Sequence, residues 1–267
     1  MPLSSVRVGL VRAWRMLATA LAFGAFGLGG VLLRIIYFPL LALVVRDPAR
    51  RVPLARETVR RSFAGFILLM RVLGLISYQI DGRERLARPG LLILANHPSL
   101  IDVVFLVSLV RNADCLIRAG LFDNAFTGGA VRGAGYIRNS GGPQLLQACM
   151  DSLQAGSNLV IFPEGTRSRP GEPLQLQRGA AQIALRAGCK ITPVTIQMRP
   201  LALSKGRPWW RVTDRPMHFI IKVEDDIDVA PFLESAAGEL GVAARHLTGH
   251  LQQYFSTIGG AAWTQQH

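Results

Sequence analysis

Residues 16–33 carry no charged side chain over eighteen positions, and beyond Arg34 the chain stays apolar from Ile35 to Val45 with Pro39 inside. Eighteen apolar residues meet the lower limit for a helix that crosses a bilayer. A second apolar segment, Phe63 to Ile76, contains Arg71 and reads as another interfacial helix. From residue 78 the texture changes to short apolar runs alternating with helical periodicity. Strands are predicted at 91–95, 115–118, 136–138, 158–162, 191–196 and 218–223, and helices at 99–110, 144–154 and 178–187. Pro231 opens a last helix to about Phe255, with Ala236, Leu240, Ala243, Leu247 and Leu251 at helical spacing. Alternation of this kind predicts an α/β fold: a mixed, largely parallel sheet covered by helices on both faces. An N-terminal apolar helical membrane anchor precedes it. The division expected is 1–77 for the anchoring segment and 78–267 for one globular domain.

Charge changes the picture of the N-terminus. The formal net charge is +13, and only Lys190, Lys205 and Lys222 are lysines. Residues 1–61 hold ten arginines against Asp47 and Glu57, a net +8. Such an excess calls for an anionic partner. The same segment is the most apolar of the chain and lacks aromatic-interleaved basic stretches, which points to an anionic membrane and away from nucleic acid. Arg7, Arg12 and Arg15 precede the apolar run, while Arg46, Arg50, Arg51 and Arg56 follow it. With positive clusters at both ends, a single crossing would leave one of them on the disfavoured side. A hairpin or interfacial anchor, bent near Gly29-Gly30 or Pro39, keeps both on one face and is preferred over a spanning helix. Trp209, Trp210 and Arg211 suit either an interfacial position or packing under the last helix.

Cys115, Cys149 and Cys189 are odd in number and lack a CxxC pairing, which fits a reducing compartment without disulfide or zinc. Cys189 sits in an Ala-Gly-Cys-Lys turn with no histidine near in sequence, so a structural thiol is expected. His218, His246, His250 and His267 form no ligand cluster, and no metal or cofactor is expected.

Candidate chemistry gathers in two segments, each where an apolar run ends. In Asn96-His97-Pro98-Ser99-Leu100-Ile101-Asp102, a histidine leaves a strand end and an aspartate follows five positions on. Open α/β sheets bind ligands at such strand ends. Asp102 can fix the tautomer of His97, leave its other ring nitrogen basic and stabilise the imidazolium. Ser99 and Asp102 also fit a simple helix-capping box, and the two readings are compatible. The second segment is Phe162-Pro163-Glu164-Gly165-Thr166-Arg167-Ser168. Pro163 ends ladder bonding and Gly165 permits unusual backbone angles. The turn therefore presents Glu164 to substrate hydroxyls and Arg167 to phosphate, unless the two merely pair with each other. A Gly-x-Ser-x-Gly nucleophile elbow is absent, which counts against a lipid hydrolase.

These two motifs, in this order and 67 positions apart from His97 to Glu164, resemble those of the glycerolipid acyltransferases, the 1-acylglycerol-3-phosphate O-acyltransferase family. Gly135-Tyr136-Ile137-Arg138 stands in the place of that family's second motif, with shorter spacing, and Ile191-Thr192-Pro193-Val194 in that of its fourth. The resemblance covers about residues 78–225. It implies His97 and Asp102 as catalytic residues, with Arg138, Glu164, Gly165, Thr166 and Arg167 binding substrate. It also implies an acyl donor, either acyl-carrier protein or acyl-coenzyme A, and a lysolipid acceptor, lysophosphatidic acid first. Acylation of an ornithine-type or aryl-polyene lipid is the nearest alternative. A non-catalytic adaptor is disfavoured because His97, Asp102, Glu164 and Arg167 are all present. The expected location is the cytoplasmic face of the inner membrane.

Overall fold

The computed structural model describes residues 3–168, 172–206 and 210–263, so Trp209 and His267 lie outside the described residues. The chain begins with one continuous helical rod: α1 (Leu3–Leu32), a π-helical stretch (Leu33–Tyr37) and α2 (Phe38–Val44). No bend forms at Gly29-Gly30 or Pro39. Pro39 lacks an amide hydrogen and would break a regular α-helix. Widening at 33–37, where the Phe38 amide bonds back to the Leu33 carbonyl, absorbs it instead. The chain turns at residues 45–47, where the Asp47 carboxylate accepts from the Ala49 amide at 2.9 Å and caps α3 (Pro48–Val72). The expected hairpin within the apolar run is therefore absent: the chain turns some six residues past Pro39, and the arm that packs back on the rod is α3.

That second arm is more than an interfacial helix. Ala55, Val59, Phe66, Ile67 and Met70 of α3 are buried, while Leu54, Leu68 and Val72 stay exposed. On the rod, Ala18 and Ala22 are fully buried beneath an outer face of Leu10, Leu17, Leu21, Leu28 and Leu43 that is not.

A seven-stranded sheet follows: β1 (Ile76–Asp81), β2 (Leu92–Ala95), β3 (Ala113–Arg118), β4 (Ile137–Asn139), β5 (Asn158–Ile161), β6 (Ile191–Arg199) and β7 (Met217–Val223). Its order is β1-β7-β6-β2-β5-β3-β4. The five strands from β6 to β4 run parallel; β7 is antiparallel to β6, and β1 is parallel to β7. The sheet is thus mixed and largely parallel, as the alternating pattern predicted. β1 is an addition: Ile76 was expected to close an apolar helix, but Gly74, at φ +71°, ends α3 and frees the next residues to pair with β7.

Helices cover both faces. Ile93, Val160 and Val194 point to the side of α3 and α4 (Asp102–Leu109). Leu92, Leu94, Leu159 and Ile161 point to the side of α7 (Gly142–Gln154), α8 (Gly179–Ala187) and α10 (Leu240–Trp263). Between β3 and β4 lie two short helices, α5 (Gly120–Asp123) and α6 (Gly128–Gly133), of which α6 docks on the rod. The final helix is divided. α9 (Ala230–Ser235) ends where Gly238, at φ +84°, donates its amide to the Leu233 carbonyl, and α10 starts afresh.

Candidate active site

β2 and β5 are adjacent and parallel, so the loops leaving their C-terminal ends meet. These are the loops that carry His97 and Glu164. The backbone amide of His97 donates to Glu164 Oε1 at 2.8 Å, and the Ser168 amide donates to the His97 carbonyl at 2.9 Å. Ser168 Oγ closes the loop on Glu164 Oε2 at 2.7 Å. Glu164 is buried, with both oxygens occupied, so it braces one loop against the other. Burial holds its carboxyl above the usual carboxylate range, partly offset by these two hydrogen bonds. No Glu164–Arg167 pair forms among the described residues; the Arg167 guanidinium instead donates to the Leu203 carbonyl at 2.9 Å.

Asp102 opens α4 and is fully buried. Its carboxylate accepts from the Ser99 amide at 2.5 Å, from the Ser99 hydroxyl, and lies 3.0 Å from His97 Nδ1. The capping contact and the histidine contact therefore coexist on one side chain, as the sequence allowed. The His97 ring lies against Phe162, centroids 4.5 Å apart, and keeps 15% of its side chain exposed. Among the described residues Nε2 has no hydrogen-bond partner, so the ring is held at one nitrogen and open at the other.

Asn96 and Pro98, on either side of His97, line a cavity of about 750 Å³ together with Glu164, Thr166 and Arg167. Asn96 is fixed by paired hydrogen bonds to the Ile196 amide and carbonyl, which extend β2 beside β6 by one side chain. Several lining residues carried no signal in the motifs: Lys205, Gln175, Gln197, Gln252 and Phe255. Lys205 comes from the loop after β6, far in sequence from either motif.

The remaining predicted residues fall differently. Gly165 takes φ +66°, as its place in the turn required, and its carbonyl accepts from Arg118 Nε at 2.9 Å. Arg118 ends β3 and was not anticipated, although the C-terminal end of a parallel strand is where such a residue is looked for. Arg138 does not line the cavity. It sits on edge strand β4 over the Phe122 ring, 5.6 Å from the centroid, and 3.7 Å from Asp123. Thr192 and Pro193 of the fourth motif are in β6 beside β2, where Thr192 bonds Asp226 at 2.7 Å, a structural placement.

Comparison with known proteins agrees with this geometry. A family model described as Acyltransferase matches residues 77–197. The chain is 37% identical to a 1-acyl-sn-glycerol-3-phosphate acyltransferase of Helicobacter pylori, over 43% of this chain and 55% of that protein. It is 28% identical to the chloroplastic enzyme LPAT1 of Arabidopsis thaliana, over 52% of this chain and 42% of the relative. A lyso-ornithine lipid O-acyltransferase of Pseudomonas aeruginosa matches at 32% over 49% and 52%. The alignments thus span about half the length of these relatives. The fold is that of the crystal structure of the 1-acyl-sn-glycerophosphate acyltransferase PlsC from Thermotoga maritima, with TM-score 0.60 and 19% identity, covering 89% of this chain and 95% of that one. Residues 77–197, the stretch that matches the Acyltransferase family model, hold both motif loops and the strands beneath them.

Proposed function

We propose that this protein transfers a fatty acyl group from an acyl thioester, on acyl-carrier protein or coenzyme A, to the free hydroxyl of a lysophospholipid, lysophosphatidic acid first. The observation that carries the reading is His97, tied through Nδ1 to the buried Asp102, with Nε2 unpaired among the described residues and the flanking Asn96 and Pro98 lining the cavity. Nε2 removes the proton from the acceptor hydroxyl as its oxygen attacks the thioester carbonyl. Collapse of the tetrahedral intermediate forms the ester and expels the thiolate, which takes the proton back from His97. Asp102 holds the ring and stabilises the imidazolium between these steps. Glu164 acts by bracing the His97 loop, and Thr166 and Gly165 shape the acceptor's approach.

Arg167 and Lys205 bring two cationic groups to the cavity wall and suit an acceptor phosphate. Arg138 is an outer contact, since an exposed pair with Asp123 is weak and releases the guanidinium easily. Residues 1–77 seat the protein on the cytoplasmic face of an anionic membrane, and 78–267 do the chemistry. The rod is long and apolar enough to cross a bilayer, and what favours interfacial seating is the arginine cluster at each end, which a crossing would place on opposite sides.

The lyso-ornithine relative supports a second acceptor reading, in which the lipid lacks phosphate. Purified protein incubated with lysophosphatidic acid, lyso-ornithine lipid and both donor types, with products identified by mass spectrometry, separates the two. Acylated lyso-ornithine lipid without phosphatidic acid would replace the first reading by the second.

A further inference from the structure

The catalytic cavity shares a wall with a second groove. Gln252 and Ser256 of α10 line both, and the groove, of about 550 Å³, runs between α10 and the segment that precedes α8. One side of it is Leu176 and Arg178; the other is Arg245, Thr248, Gln252, Gln253 and Ser256. The two sides are tied where the Leu176 amide donates to Gln252 Oε1 at 3.4 Å. The cavity wall includes Glu164 and Glu172, whereas among the described residues no carboxylate lines the groove. Arg178 and Arg245 are both exposed, and among the described residues neither has an ion-pair partner. Gly249 also lines the groove, and a Cβ added there would meet nothing within 4 Å, so the α10 side is open at that point.

We propose that this groove takes the phosphopantetheine arm of the acyl donor, with Arg178 and Arg245 on its phosphate. The proposal rests on the acyl-transfer reading and adds where the donor lies. Three properties of the arm fit the lining. Its phosphate suits two guanidinium groups that no carboxylate neutralises. Its two amides, between phosphate and sulfur, need both donors and acceptors, which Gln252, Gln253 and Ser256 supply. Gln252 meets Leu176 through its oxygen and so keeps its N–H donors for a ligand. Length is the third. Arg245 stands seven residues before Gln252 on α10, about 10 Å of helix rise. The arm has about thirteen bonds from phosphorus to sulfur, which reach about 15 Å at the ~3.3–3.6 Å per three bonds of an extended backbone. A phosphate held at Arg245 therefore carries the sulfur past Gln252 into the cavity that Asn96 and Pro98 line. The arginine end is exposed, so the rest of the carrier stays in solvent. Coenzyme A and acyl-carrier protein present the same arm, and the groove reads what they share.

The test reads binding first and transfer second. In calorimetric titration of the full chain, phosphopantetheine should bind more tightly than pantetheine by about threefold to thirtyfold, the range for two exposed charged contacts. Arg178→Gln/Arg245→Gln should remove that preference. Arg83→Gln/Arg186→Gln, the same charge loss at exposed positions outside the groove, should keep it. Gly249→Phe, which fills the open side, should weaken both compounds alike. A wild type without the preference, a preference that survives Arg178→Gln/Arg245→Gln, or unchanged binding in Gly249→Phe overturns the proposal. These titrations need no turnover, so their failure is distinct from failure of acyl transfer. In turnover, Arg178→Gln/Arg245→Gln should raise KM for the donor by a similar factor and leave KM for the lysophospholipid unchanged. Thioesters of coenzyme A and of acyl-carrier protein, assayed separately, distinguish the two carriers. A rise with either supports the groove and names the carrier; a rise with neither, or one for the lysophospholipid instead, overturns it.

Discussion

At the scale of single residues, each site side chain has a stated partner and so a stated consequence of loss. Asp102→Asn keeps the shape of the loop but weakens stabilisation of the imidazolium, so kcat should fall by about a hundredfold or more while the thermal midpoint holds. An unfolded Asp102→Asn would instead make Ser99 capping the whole role of this carboxylate. Arg167→Ala and Lys205→Ala should raise KM for a phosphate-bearing acceptor and leave kcat nearly unchanged, since they remove binding shared by ground and transition states. Equal effects on a phosphate-free acceptor would refute a phosphate site. Glu164 gives a pH dependence. Its folded pKa lies above that of the unfolded chain, so across the interval between them the folded state holds a proton the unfolded state has lost. Stability must fall as pH rises through that interval. Glu164→Gln, which can still accept from the His97 amide, should flatten this part of the profile in urea denaturation over about pH 4 to 8; parallel profiles would contradict it. His97, Asp102, Glu164 and Arg167 stood out because chemistry and turn residues stand together in sequence, but the sequence read Glu164 as facing substrate hydroxyls where the fold turns it inward as a brace. Lys205 and Arg118 were not, because only the sheet order brings them to the same edge.

Elements were legible where periodicity is undisturbed and illegible where one residue decides. β2, β5 and α8 fall close to their expected positions. The end of α3 hinges on Gly74 and the gap before α10 on Gly238, and neither glycine alters hydrophobic spacing. The rod was misjudged at Pro39, where π-helical widening removes the need to bend. That widening also brings the rod against α6: a Cβ built on Gly129 would lie 2.3 Å from the Arg34 Cβ. Gly129→Val should therefore destabilise the protein by about 1–3 kcal/mol, read as a lower thermal midpoint, whereas Gly9→Val meets no neighbour within 4 Å and lacks this clash. Similar midpoints for the two variants would show that rod and domain are not interlocked there. A buried ion pair makes a second tie. Arg56 of α3 meets Asp114 at 2.6 Å and also bonds Asn112, Ser157 and the Ala134 carbonyl. Burial nevertheless holds the Asp114 carboxyl above its ordinary value. Removing the guanidinium with Arg56→Ala strands that acid, at a cost of about 3–5 kcal/mol in a denaturant titration.

For the whole molecule, the helical segment and the sheet share one core, with Ala18, Ala22, Phe66 and Met70 in the same cluster as Ile93 and Val160. Composition could mark the rod as a membrane element, but not the packing that turns one face inward. The rod from Gly9 to Val44 is 36 residues, long and apolar enough to cross a bilayer, whereas the interfacial seating proposed for it keeps both ends on one side. Single cysteines at Gly9 and Arg46, in a background without Cys115, Cys149 and Cys189, should both react with an impermeant reagent added from the cytoplasmic side. Protection of one alone would show a crossing. The central claim is that His97 takes the acceptor's proton during acyl transfer, and one measurement addresses it directly. In a single-turnover reaction of purified protein with lysophosphatidic acid and an isotope-labelled acyl thioester, the wild type should form labelled phosphatidic acid. His97→Ala, equally folded and equally vesicle-bound, should form it slower by about a hundredfold or more. A His97→Ala rate within about tenfold of wild type would contradict the account.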